Sequence, residues 1–243
     1  MKYPSDFRLM SCAVFLLVGI FFHLARSGAA EGADDPDLLP MFGQPKISRP
    51  EKLQKADEAF IRDNTLRYKS RQAASMAYAG RGWSAVKTKQ LSSAMLLFNQ
   101  AWLLNPKNYQ AFWGFGAVLS QQGRLSEAID QLETARELID EPAQRAALLS
   151  DLGTLHSEYA ARLPSTQQLE RAQRFVVANT RFTECLETDP GFAAGWREWA
   201  ISLYEQERYS EAWARVKRAR ELRAESFPAE FLQKLSAKMP EPK

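Results

Sequence analysis

Along most of the chain apolar residues recur at three- and four-residue intervals, and no stretch alternates apolar with polar long enough to predict a strand. Leu53, Ala56 and Phe60 begin the series. Ser48 and Glu51 stand before them at the spacing of a capping box, so a leading helix is predicted over residues 51–70. From residue 71 onward the pattern comes in pairs: one apolar-periodic segment, a polar turn, then a second segment. The turns read Thr88-Lys89-Gln90-Leu91-Ser92, Gln122-Gly123-Arg124-Leu125-Ser126 and Glu207-Arg208-Tyr209-Ser210-Glu211. A last stripe, Phe231, Leu232 and Leu235, follows Pro228 and predicts a terminal helix over 227–239, the kind of cap that covers the open apolar end of a repeat array.

The pairs repeat with a fixed period. Gly82 and Gly116 are 34 residues apart, as are Ala94 and Ala128, Phe98 and Leu132, Ala178 and Ala212, and Phe182 and Val216. A glycine in mid-helix costs about 1 kcal/mol relative to alanine, and a helix accepts that where a neighbour must come close. The aromatic or aliphatic residue four positions after each second-helix alanine fills the space beside the contact. Pro106 and Pro190 stop two of the pairs.

This pattern of small residues on both helices, a large residue beside them and a closing proline resembles the tetratricopeptide repeat. The resemblance implies an all-α, superhelical solenoid of about four helix pairs with a leading helix and a C-terminal cap. The repeats fall at about 75–108, 109–142, 146–192 and 193–226, within a solenoid over 71–243. The third repeat is irregular. Gly116 to Gly153 is 37 residues and Ala128 to Ala178 is 50, so most of the extra chain lies inside that repeat, around Leu163-Pro164-Ser165. Ser165 and Gln168 again have capping-box spacing, and the second helix should run from there to about Thr188. The insertion then lengthens both helices, with Tyr159, Leu163, Leu169 and Phe175 able to zip them together. It is either a neutral extension or a lip on a binding surface.

Residues 1–30 read as an export signal. Lys2 and Arg8 precede an apolar run over residues 9–25, and Gly28 and Ala30 suit a signal peptidase. The alternative is a retained membrane anchor, since about 17 apolar residues sit at the lower edge of a bilayer span. Cleavage removes Cys12 and leaves Cys185 without a disulfide partner. Residues 31–50, with Pro36, Pro40, Pro45 and Pro50, predict an extended tether. Its Leu38, Leu39, Met41 and Phe42 either pack on the first helices or form an exposed docking peptide. The protein is thus expected outside the cytoplasm, periplasmic or secreted, or else membrane-anchored.

Composition agrees with a globular body. Of the 243 residues 45% are hydrophobic and 25% charged, and the net charge of +3 falls further without residues 1–30. A near-neutral body gives no electrostatic reason to expect nucleic acid. Catalytic chemistry finds little to use: the two histidines are His23, in the signal, and His156, at a packing position. Cys185 aligns with Ala101, Ala135 and Ala219, so a buried small residue is its expected role. No phosphate loop, nucleophile elbow or zinc spacing occurs, and no cofactor, metal or enzymatic activity is expected.

The remaining candidate is a binding surface. By the resemblance, the inner groove is lined from the first helix of each pair. The residues expected there are Met76, Trp83 and Lys87, then Gln110, Trp113 and Gln121, then Ser150 and Glu158, then Arg197, Tyr204 and Glu205. Exposed tryptophans would anchor a partner, while buried ones would only pack. The expected function is a non-enzymatic exported scaffold or adaptor that binds a protein or peptide in this groove, in envelope assembly or secretion. The alternative is a small-ligand or glycan binder, or an accessory enzyme subunit, using the tryptophans. A homodimer is a further partner class, since open repeat faces can self-associate.

Overall fold

The computed structural model describes residues 35–242 of the chain. The export-type segment, residues 1–30, lies outside them. Among the described residues there are ten α-helices and two 3-10 turns, and no strand. They group into two compact units, residues 35–138 and 139–242.

The first unit holds α1 (Glu51–Tyr68), α2 (Arg71–Lys87), α3 (Leu91–Leu104), α4 (Tyr109–Gln121) and α5 (Leu125–Leu138). α2 with α3, and α4 with α5, are antiparallel pairs joined by the polar turns expected from the sequence. Ser70 caps α2 by accepting from the Ala73 N–H at 3.0 Å, and Asn108 caps α4 through the Gln110 N–H at 3.0 Å. Between the pairs, Ser75 donates to the Ala101 carbonyl at 2.6 Å and accepts from Asn108 Nδ2 at 2.7 Å. Arg71 adds bonds to the Leu103 and Leu104 carbonyls, so the orphan acceptors at the end of α3 are satisfied from α2.

The small-and-large logic holds in atomic detail. A Cβ placed on Gly82 would lie 2.6 Å from the Phe98 ring, so only glycine lets α2 lie this close to α3. In the second unit Gly153 stands in the same relation to Phe182, at 2.9 Å. Phe98, Phe182, Ala94 and Ala178 are all fully buried.

The second unit holds α6 (Pro142–Arg162), α7 (Gln168–Thr188), α8 (Ala193–Glu205), α9 (Tyr209–Glu221) and α10 (Ala229–Lys238). The insertion does lengthen both helices of the third pair: α6 and α7 have 21 residues each, against 13 and 14 in α4 and α5. α10 covers the end of the last pair. Its Phe231 and Leu235 join Ala212, Trp213, Val216 and Ala219 in one buried cluster, and Trp213 Nε1 donates to the Met239 carbonyl at 2.9 Å.

Four expectations need correction. Residues 36–43 are not extended: Pro36–Leu38 and Pro40–Gly43 are 3-10 turns docked against α3, because Phe42 is buried there and Asn99 binds the backbone around it. Neither capping box forms. α1 starts after Pro50 and α7 after Gln167, both without a side-chain cap, since proline geometry and the turn at Pro164 set those starts. The α1 stripe is only partly covered, as Leu53 remains 40% exposed and Ala56 is exposed. Leu169 does not zip the long hairpin; it is 75% exposed, while Phe175 is buried and Tyr159 takes the Arg174 guanidinium over its ring at 4.3 Å.

Candidate functional site

The first-helix faces are described unit by unit. On α2, Met76, Trp83 and Lys87 stand at i, i+7 and i+11, which puts them on one face of a 3.6-residue helix. Met76 is 45% exposed, Lys87 is exposed, and Trp83 is half-buried. Trp113 of α4 lies beside Trp83, with ring centroids 5.7 Å apart and planes at 81°. Trp113 itself is only 9% exposed. Of the two readings open for the tryptophans, packing describes Trp113, while the half-buried Trp83 forms a rim with Trp113 as the wall behind it. Gln110 is buried too, and Gln121, the last residue of α4, is half-buried.

In the second unit the expected residues do not form one surface. Ser150 is buried. Tyr204 turns toward the cap, 5.8 Å from the Phe231 ring and 5.7 Å from Tyr209. Glu205 is exposed. Arg197 is buried, pairs with Glu198 through Nη1, and keeps its Nε buried without a hydrogen-bond partner. Glu158 is half-buried and 3.7 Å from Arg162. Beside them the Ser157 and Ser202 hydroxyls bond to each other between α6 and α8.

Electrostatics here follow burial. Desolvation holds the Glu158 carboxyl above its ordinary value, against the pull of Arg162. It does the same to Glu198, where Arg197 opposes it and the charges of Glu158 and Glu225 add to it. Burial also pushes the Cys185 thiol up to about 12, which favours its neutral form, packed facing Gly195. His156 is buried in α6, in keeping with a packing position. Among the described residues no three His, Cys, Asp or Glu side chains converge as a metal site would need.

These shifts predict a pH effect. A carboxyl raised in the folded state contributes stability below its unfolded pKa and loses it as pH rises through the folded value. Glu158→Gln removes that dependence and spares Glu198 a like charge, while the lost pairing to the half-exposed Arg162 is worth little. The melting temperature of the variant minus that of the wild type should therefore climb as pH rises above the ordinary glutamate range. A difference that stays flat, or falls, would show that Glu158 is not destabilised by burial.

Sequence reasoning missed the burial of Glu198, the pairing of Ser157 with Ser202, and Asn99. Asn99 left a signal, being an amide inside the apolar stripe of Met95, Phe98 and Ala101. Glu198 left none, since its burial depends on how α6 and α8 meet.

Comparison with known proteins agrees with this geometry. A tetratricopeptide-repeat family model matches residues 85–152. No curated protein sequence matches the chain. Among solved structures, PilF of Pseudomonas aeruginosa is similar at 18% identity, over 77% of this chain and 86% of that one, with a TM-score of 0.50. MamA of strain AMB-1 aligns at 17% identity over 69% and 87%, with a TM-score of 0.45. YrrB, described as a protein of this repeat type with an unusual peptide-binding site, aligns at 20% identity over 75% and 98%, with a TM-score of 0.34. The family model over residues 85–152 and the glycine-to-phenylalanine packing present in both units together show a tetratricopeptide-repeat region within this all-helical chain.

Proposed function

We propose that this chain is a non-catalytic scaffold that captures a protein or peptide partner on a first-helix face, and that it works outside the cytoplasm, in envelope assembly or secretion. The observation that carries the reading is the α2 face. Met76 leaves 45% of its surface in water, and the half-buried Trp83 and Lys87 stand at the same face. A flexible apolar side chain on the same helix face as a tryptophan held by its neighbours, two turns away, is a ready anchor for an apolar residue of a partner. Lys87 favours an acidic flank. Trp113 is buried, so this face offers a sugar only the half-buried Trp83 ring, which favours a protein over a glycan. The charged, apolar and small-residue order of residues 1–30 supports export.

Affinity capture from envelope fractions tests the binding claim. Met76→Ala and Trp83→Ala should each cut recovery of a specific partner about tenfold or more, as loss of an anchor commonly does, with Met76→Ala leaving the thermal melt unchanged. Undiminished recovery with both variants would rule out the α2 face. Intact mass tests export: a protein beginning near Glu31 is expected, and a mass that retains residues 1–30 would replace cleavage with the membrane-anchored reading.

A further inference from the structure

Residues 37–49 occupy a site that their own chain builds. Asn99, in the middle of α3, is fully buried. Its carboxamide accepts from the Phe42 N–H at 3.2 Å and donates to the Asp37 and Leu39 carbonyls at 3.0 and 2.8 Å. One side chain thus holds three backbone groups of the segment. Among residues 35–50 only Phe42 is buried. Arg49 lies over its ring at 3.9 Å and bonds both carboxylate oxygens of Asp57 on α1, at 2.7 and 3.1 Å. Main-chain bonds to a fixed amide, one seated aromatic and one bidentate arginine are the parts of a peptide-recognition site.

The occupant fits with strain. Met41 and Phe42 have φ of 53° and 55°, the left-handed region that bulky residues avoid. Such conformations persist where the surroundings over-determine them, and they gather at ligand clamps and switches. The buried amide of Asn99 cannot be left empty without losing three bonds, so the segment leaves most readily by exchange with another peptide. A peptide that makes the same three bonds without two left-handed residues competes from a lower-energy backbone.

We propose that the faces of α1 and α3 around Asp57 and Asn99 are a peptide-binding site, separate from the α2 face. The chain's own residues 37–49 fill it in cis. A peptide of the same chemistry, an aromatic side chain followed by an arginine, takes it in trans by displacing them. The cis segment acts as a built-in competitor, at the high effective concentration that a short tether gives.

The test uses the full chain and a fluorescent synthetic peptide of residues 35–49, read by anisotropy. Phe42→Ala weakens the cis segment, and this chain should bind the peptide at least ten times more tightly than the wild type does. Adding Asn99→Ala should abolish that binding, and a peptide with alanine in place of Phe42 should not bind. Arg49→Gln in the chain, which loosens the segment while keeping Phe42, is measured in parallel in case Phe42→Ala fails to fold. No binding to a loosened chain with wild-type circular dichroism, or equal binding to the Asn99→Ala chain, would overturn the proposal and leave the segment as fixed structure.

Discussion

Phe98→Ala will lower the stability of the residues 35–138 unit by about 3–5 kcal/mol, the usual range for removing a buried phenylalanine ring. Phe98 is fully buried. Its ring meets Trp83 edge-on at 5.4 Å and Phe115 at 6.3 Å, and it lies directly against Gly82. A unit of this size has about 5–15 kcal/mol to lose, so the melt of its helical signal should shift by tens of degrees, at about 4–8 °C per kcal/mol. A companion variant isolates the cause. Gly82→Ala alone should destabilise, since its methyl would stand 2.6 Å from the ring. In the Phe98→Ala background the same change should be harmless or stabilising, because the ring is gone and alanine is the better helix former by about 1 kcal/mol. The sign change across this double-mutant cycle is the decisive reading. A Phe98→Ala cost under about 1 kcal/mol, or additive effects of the two changes, would show that the glycine–phenylalanine contact does not set the helix spacing.

That contact explains why so much of the fold was legible. The 34-residue period records one local event, a small residue on the first helix admitting a large one from the second, and a local event repeats in sequence at the same offset. Gly82 with Phe98, and Gly153 with Phe182, are two instances of it. The lengthened α6 and α7 could be counted from the displaced spacings for the same reason. The docking of residues 36–43 could not. It depends on Asn99 meeting the Asp37 and Leu39 carbonyls about 60 residues away, and a buried amide does not announce its partner. The turns show another limit. Lys89 and Glu207 take left-handed φ of 59° and 60°, the conformation that Gly123 adopts at φ 80° without a Cβ, so no single residue type marks that position. At the candidate site the register placed residues on the first helix of each pair and was silent on cover. Arg197 was expected on a groove and is held inside by Glu198, while Tyr204 serves the cap.

The same difference between register and cover gives the second large effect. Trp113→Ala should destabilise the residues 35–138 unit by about 3–5 kcal/mol, as cavity formation at a buried tryptophan does. Trp113 is 9% exposed and is flanked along α4 by the buried Phe112 and Phe115. Trp83→Ala should cost less, because that ring is half-buried and part of its surface already faces water. Met76→Ala, at a side chain 45% exposed, should change stability little. Thermal or urea unfolding of the three variants should thus rank Trp113 first, Trp83 second and Met76 last. Their effects on partner capture, measured on folded protein, should run differently, with Met76 and Trp83 ahead of Trp113. The reason is geometric: a partner on this face can touch the rim formed by Met76 and Trp83, whereas Trp113 acts by holding Trp83 in place across 5.7 Å. Loss of capture with Trp113→Ala alone, at wild-type stability, would mean that the ring is a contact residue after all and that the wall opens when the partner binds.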